Sequence, residues 1–466
     1  MVLRLFFGTT ISFLKAYMAV VKSTRPYHPA IECAREGLEA LAAGDPRRAA
    51  ERLRQAAAES PADAAVHTNL GTALQQIGQL DEAISSYRRA LQIEPSCAEI
   101  LYNLGAAERA AGNPAEAVGA YRRAIELRSD FVEARNNLGL ALLDWGRADE
   151  AVVALEQARA LSPLLPAIHA NLGNAMRLQE RPAEAMASYR RAVALEPSCA
   201  EAWFNLHAML FDQGDLAGAA QALERGLEAR PEHATARFFL GVVRHELGDS
   251  AGAESCFAAV AARSDAPRHM IESWAYARSA RTPRTRLFAH GQPTLAYALA
   301  QAEVPGLVLE LGVRFGTSIR FIAKRAGQTV HGLDSFQGLP EAWGPLPAGT
   351  YSTRGELPVV PPNVELHVGD FSRTLPDLLG RERGPLRFAN VDCDLYRSAL
   401  VALELLAERI VPGTVLCFDE YFAYPGWRDG EFAAFRQAAD EHGWQHEYLA
   451  LSLFSKQAVV RIVDRP

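Results

Sequence analysis

Asn69-Leu70-Gly71, Asn103-Leu104-Gly105, Asn137-Leu138-Gly139 and Asn171-Leu172-Gly173 are one tripeptide returning every 34 residues. Weaker copies keep the register at Asn205-Leu206-His207 and Phe239-Leu240-Gly241. A period this strict means stacked units, none able to bury its apolar face alone. Other columns share the spacing. Alanine stands at 49, 83, 117, 151, 185, 219 and 253, and a large apolar residue at Leu53, Tyr87, Tyr121, Leu155, Tyr189, Leu223 and Phe257. A turn glycine runs Gly44, Gly78, Gly112, Gly146, Gly214 and Gly248, with Glu180 as the exception. Prolines close most units, at Pro61, Pro95, Pro163, Pro197 and Pro231. Small residues let two helices approach, glycine permits the tight turn, and proline ends the second helix.

These columns resemble the tetratricopeptide repeat. Seven units are expected, at 30–63, 64–97, 98–131, 132–165, 166–199, 200–233 and 234–267. The resemblance implies an all-α superhelix in which the first helix of each unit lines a concave groove. Asn69, Asn103, Asn137, Asn171 and Asn205 would then form a ladder along it. A side-chain amide both donates and accepts, so such a ladder could hold the backbone of a peptide or protein partner. The other reading is that the asparagines serve packing between helices.

Composition narrows the rest. The chain has 466 residues, a net charge of −7 and an ordinary apolar content of 49%. That balance argues against a dedicated nucleic-acid binder. Five arginines between 268 and 286 form a local basic run, read as a solvated or interdomain segment. Six scattered cysteines without a C-x-x-C pair suit a reducing cytoplasm better than a disulfide or zinc scaffold. Residues 1–29 are apolar only in patches, so they are read as a frayed extension or an amphipathic lead-in helix without a transmembrane segment, a membrane-surface anchor being the other reading. A linker over 268–284 and a second domain over 285–466 complete the expected organisation.

In that second domain the periodicity becomes that of an α/β fold with a parallel sheet. Strands are expected at Leu307–Leu311, Val330–Leu333, Val364–Val368, Phe388–Val391, Val415–Phe418 and Val459–Val463. Helices are expected at Thr294–Ala302, Thr317–Arg325, Ser398–Arg409 and Glu431–His442. The first of these strands runs into Glu310-Leu311-Gly312-Val313-Arg314-Phe315-Gly316. Glycines at a strand-to-helix turn let a ligand lie against backbone. The spacing is G-x-x-x-G, not the G-x-G-x-x-G of dinucleotide binders, which excludes a nicotinamide-dependent oxidoreductase. The next strand ends at Asp334, placed to clamp ribose hydroxyls, and the third in Gly369-Asp370-Phe371, an acceptor and a ring for an adenine.

This arrangement resembles the class I S-adenosylmethionine-dependent methyltransferases. The stretches D-S-F-Q-G-L-P-E-A-W (334–343), G-D-F-S-R-T-L-P (369–376), N-V-D-C-D-L-Y (390–396) and F-D-E-Y-F-A-Y-P-G-W (418–427) are similar to a bacterial group that includes the macrocin-type O-methyltransferases. The resemblance implies a Rossmann-like domain fused behind the repeats. It places S-adenosylmethionine against Glu310, Gly312, Gly316, Asp334, Ser335, Asp370 and Phe371. It also implies a divalent metal at strand ends, for which Asp392, Asp419 and Glu420 are the candidates. The family's second acidic pair reads Asp-Asp, where this chain has Asp419-Glu420.

Physical reasoning points the same way. Carboxylates gathered at neighbouring strand ends repel unless something positive sits among them, and Mg²⁺ ligated by oxygens answers that need. Asp394 is the candidate base or substrate anchor, or else a cap on the following helix. Tyr424 and Trp427 are read as a lid that stacks on a sugar, or as packing. The expected activity is O-methylation of a sugar, glycan or other hydroxylated acceptor, with the repeats recruiting a partner. The competing expectation is a protein-interaction scaffold whose methyltransferase-like domain is inert or regulatory.

Overall fold

The computed structural model describes residues 29–465. The expected N-terminal extension therefore lies outside the described residues, apart from Pro29. Two compact units divide between Pro163 and Leu164.

The first unit holds four helix pairs: α1 (Pro29–Ala42) with α2 (Pro46–Glu59), α3 (Ala64–Gln76) with α4 (Leu80–Ile93), α5 (Ala98–Ala110) with α6 (Pro114–Leu127), and α7 (Val132–Asp144) with α8 (Ala148–Leu161). Helix starts follow local chemistry: Asp45 and Asp63 cap α2 and α3 through their side chains, and Pro46 and Pro114 stand in first turns. Within a pair, the glycine of the tripeptide seats the large residue of the next helix. A Cβ on Gly71 would lie 2.7 Å from the Tyr87 ring, and one on Gly105 2.8 Å from that of Tyr121. Only a hydrogen fits at those two positions, which is why both are glycine.

The second unit continues with α9 (Pro166–Leu178), α10 (Pro182–Leu195), α11 (Ala200–Asp212), α12 (Leu216–Ala229), α13 (Ala234–Glu246) and α14 (Ser250–Ala261). Six of the inter-helix turns across the two units put glycine at a left-handed φ, and the seventh puts Glu180 there at 61°. The segment expected as a linker contains α15 (Arg268–Ala280), with Met270, Trp274 and Ala277 buried. Arg278 and Arg281 lie over the Trp274 ring, so part of the basic run is the outer edge of an amphipathic helix.

An α/β domain follows: β1 (Arg286–Leu287), α16 (Gly291–Gln301), β2 (Leu307–Leu311), α17 (Thr317–Ala326), β3 (Val330–Asp334), β4 (Val364–Val368), α18 (Phe371–Arg381), β5 (Leu386–Val391), α19 (Tyr396–Leu406), β6 (Val415–Phe418), α20 (Glu431–Glu441), β7 (Gln445–Ser452) and β8 (Gln457–Asp464). Among the described residues the sheet has eight strands, ordered β1-β7-β8-β6-β5-β2-β3-β4. It is mixed: β8 runs antiparallel to both β6 and β7, and the other neighbours are parallel. Strand order reverses between β2 and β5, so their carboxyl ends open a crevice.

Repeats of the second unit pack on this domain. Asp212 accepts from the backbone amides of Ala289 at 2.6 Å and His290 at 3.2 Å, and from His290 Nδ1 at 2.6 Å. Glu180 pairs with Lys324 and Arg325. Phe454, in the β7–β8 turn, packs among the rings of Phe204, His207, Phe239 and His290. Among the described residues no helix is long and apolar enough to cross a membrane.

Candidate active site

A cavity of about 570 Å³ lies at the carboxyl ends of the central strands. Gly312, Asp334, Ser335, Asp370, Phe371, Asp392, Asp394, Asp419 and Glu420 all line it. Residues from the ends of five strands thus meet in one place.

Each wall has a local cause. Gly312 sits at φ 94°, and a Cβ there would fall 1.7 Å from the Asp392 carbonyl oxygen, so the β2 loop closes on the end of β5 only with glycine. Asp334 Oδ2 accepts from the backbone N–H groups of Val313 and Arg314, both at 2.8 Å, and Oδ1 from that of Phe336 at 2.7 Å. That carboxylate therefore shapes the glycine loop as well as facing the cavity.

Two expected site residues stand outside the lining. Glu310 is wholly buried, bonded by Ser318 Oγ and by Asn390 Nδ2 at 3.2 Å, and burial pushes its pKa up to about 8. Its other oxygen, Oε2, is buried without a hydrogen-bond partner. Gly316 forms the left-handed entry to α17.

The acidic residues at the ends of β5 and β6 are held by Glu431, which sequence reasoning had placed only as the start of a helix. Its Oε1 accepts from the amides of Cys393 at 3.1 Å and Asp394 at 3.2 Å, and its Oε2 from that of Glu420 at 3.2 Å. One buried carboxyl thus pins two strand-end loops. A glutamate at a helix start is ordinarily placed there by the helix dipole, so nothing in the sequence marks this one.

Electrostatics follow from crowding. Burial, reinforced by Asp419 and Asp394, holds Asp392 well above the carboxylate range. Burial and then Asp419 push Asp394 up to about 6. Burial raises Asp419, opposed by a hydrogen bond from Gln457 Nε2 at 2.5 Å. Glu420 is pushed up to about 7 by burial, although Lys456 Nζ reaches its Oε1 at 3.0 Å. Asp394 caps no helix: α19 begins at Tyr396 without a side-chain capping bond. Its φ of 61° is instead a left-handed strain of about 1 kcal/mol kept beside the cavity.

The donor chemistry suits a hard cation, oxygens alone in a partly desolvated cluster, and Glu420 Oε2 is buried without a hydrogen-bond partner. Glu420 differs from the sequence expectation in one respect, because Lys456 already supplies it with a positive partner. Among the described residues these carboxylates do not bring three ligand atoms within 4.8 Å of one another, whereas His331, Glu365 and His367 do.

Arg314, Tyr351 and Arg397 also line the cavity without having been singled out, and the Arg314 guanidinium lies 4.7 Å over the Tyr351 ring. Tyr351 comes from the long β3–β4 connection, where no periodicity marks it. Trp427 is buried against Tyr276 and Phe432, and Tyr424 packs on Trp343. Both are packing residues.

In the repeats, Asn137 donates to Tyr102 at 3.0 Å and Asn205 to Asn174 at 3.2 Å. Asn69 and Asn103 are partly exposed. Asn171 is buried, so its amide is spent inside the fold rather than offered to a groove.

Residues 309–421 match the family model described as a methyltransferase domain, a stretch holding every residue that lines the cavity. The chain carries a methyltransferase domain. Tetratricopeptide-repeat models match residues 63–130, 102–166 with 209–267, and 166–209. A methyltransferase domain implies S-adenosylmethionine as the methyl donor, and tetratricopeptide repeats imply a protein or peptide partner.

No curated protein sequence matches the chain. Among solved structures, the chain is similar to Pseudomonas aeruginosa pilF (22% identity, 41% of this chain and 88% of that one, TM-score 0.38). It is also similar to a tetratricopeptide repeat protein from Parabacteroides merdae (19%, 49% and 91%, TM-score 0.43). A third is TTC0263, a thermophilic tetratricopeptide protein of Thermus thermophilus (22%, 39% and 98%, TM-score 0.35).

Proposed function

We propose that the protein is an S-adenosylmethionine-dependent O-methyltransferase acting on a sugar, glycan or other hydroxylated acceptor, as the macrocin-type resemblance implies. The observation that carries this reading is the meeting of Gly312, Asp334, Asp370, Asp392, Asp394 and Asp419 on one cavity at the reversal of strand order.

In this reading the Gly312 loop, shaped by Asp334, receives the donor, with Ser335 beside the ribose and Asp370 and Phe371 beside the adenine. The sulfonium, when bound, supplies an electrophilic methyl group. Asp394 faces the acceptor hydroxyl and takes its proton as the oxygen attacks in line. A carboxylate with a pKa of about 6 is poised for that transfer near neutrality. Asp392 and Asp419 would hold a divalent cation, which would make the hydroxyl more acidic. Glu420, paired with Lys456, neutralises the rim.

Asn69, Asn103 and Asn137 are the proposed contacts for a partner peptide. Asn171 is buried, and Asn205 is bonded to Asn174 next to Phe204, which packs on Phe454. Six free thiols suit the cytoplasm, where we place the protein.

Calorimetric titration with S-adenosylmethionine tests the donor site: saturable binding is expected, and none at millimolar donor would leave an interaction scaffold. Chelation should abolish turnover while leaving donor affinity nearly intact, and Asp419→Asn should do the same. Loss of both properties, or of neither, removes the metal from the proposal.

A further inference from the structure

The outer edge of the sheet carries a second group of ligand-type side chains, which methyl transfer does not use. His331 on β3 stands opposite Glu365 on β4, and His367 lies two residues further along β4. Side chains alternate along a strand, so all three share one face of the sheet. His331 Nδ1 and His367 Nε2 are 3.2 Å apart; Glu365 Oε2 lies 3.8 Å from the first and Glu365 Oε1 3.8 Å from the second. The ligand atoms all lie within 4.8 Å of one another. Both imidazoles are buried, and Glu365 is half-exposed.

Two nitrogens on one tetrahedral zinc, each about 2.05 Å away, stand roughly 3.3 Å apart. The imidazole pair already has that spacing. We propose that His331, Glu365 and His367 form a binding site for a divalent transition ion of the zinc type. Two nitrogens and one carboxylate oxygen are the ligands, and a fourth position is left to water. Half-exposed Glu365 closes the remaining distance of about 0.5 Å by side-chain rotation. Imidazole ligands favour such ions over Mg²⁺, so this site and the carboxylate cavity select different metals. None of the three residues lines that cavity. Arg381, 3.5 Å from both Glu365 Oε1 and His367 Nδ1, is exposed and swings outward as the ion enters.

The site has a structural consequence. Among the described residues strand β4 is the last of the sheet, paired with β3 alone, and it runs directly into Gly369, Asp370 and Phe371 of the donor cavity. An ion shared by β3 and β4 clips that outer strand and with it the cavity wall.

Co²⁺ titration of the full chain tests this, followed by absorption and then by Zn²⁺ displacement, with millimolar Mg²⁺ throughout to occupy the carboxylate cavity. A single equivalent should give the visible band of four-coordinate Co²⁺, Zn²⁺ should bleach it, and Zn²⁺ should raise the Tm. His367→Gln and Glu365→Gln should each bind at least roughly tenfold more weakly while melting like the parent in chelator. If His367→Gln does not fold, the half-exposed Glu365→Gln decides. Absence of the band at saturating Co²⁺, or unchanged affinity in the folded variants, overturns the site. Neither result depends on methyl transfer.

Discussion

Glu431 Oε1 accepts the backbone N–H of Asp394 at 3.2 Å, and it does so from a wholly buried carboxyl. The acid proposed to take a proton is thus held in its left-handed conformation by a neighbour that never meets the substrate. Glu431→Gln turns an acceptor oxygen into a donating amide that faces the N–H of Glu420. Leaving that amide unpaired should cost about 1–3 kcal/mol in urea unfolding. Methyl transfer should slow by roughly tenfold while donor affinity changes little. A Glu431→Gln protein as stable as the parent would contradict this positioning role.

Asp334 is the corresponding device for the donor. Three backbone amides end on its carboxylate. Asp334→Ala frees all three, and bonds to a charged acceptor contribute about 1.5–3 kcal/mol each. Donor affinity should fall by roughly a hundredfold or more, read by calorimetry. Asp334→Asn, which keeps one oxygen acceptor, should fall in between. Equal affinity in Asp334→Ala and the parent would mean that the loop keeps its shape unaided.

The crowded acids set a pH signature. Asp394 at about 6, Glu420 at about 7 and Glu310 at about 8 all lie above their ordinary values. A raised acid contributes stability below its ordinary pKa and loses it as pH rises through the folded value. Buried His207 and His290, shifted downward by burial, act oppositely, but only below the ordinary imidazole value of about 6.5. Metal-free, donor-free protein should therefore lose Tm between about pH 6.5 and 8. Mg²⁺ should restore more at the upper end, by scanning calorimetry. A Tm that climbs over this interval would remove crowding as the cause.

Two contacts between the repeats and the methyltransferase domain should differ in weight. Asp212 is part-buried, its side chain 9% exposed, and accepts three hydrogen bonds, so Asp212→Ala should cost about 3 kcal/mol, seen as a lowered Tm. Glu180 is part-exposed and its ion pairs contribute about 1 kcal/mol at most. Glycine at its left-handed φ returns about the same amount. Glu180→Gly should thus leave the Tm nearly unchanged. A large loss there would mean that the Arg325 pair is far stronger than its exposure suggests.

The amino-acid sequence alone determined the helical pairs and the strand ends that carry acids. Both rest on local rules: small-against-large packing at a fixed period, and turn chemistry at the ends of apolar strands. Strands Leu307–Leu311, Val364–Val368 and Val415–Phe418 were legible because each is a short apolar or alternating run. Strand Gln445–Ser452 was not, since polar residues open it and its pairing with β1 and β8 fixes it. Helix Phe371–Arg381 was hidden by Pro376. What tertiary structure decided is which acids face the cavity, which serve the backbone and which lie in the core. Asp334, Glu431 and Glu310 read alike as carboxylates near strand or helix ends. Their roles separate only when strands distant in sequence lie side by side and bring amides, lysines or apolar walls against each one.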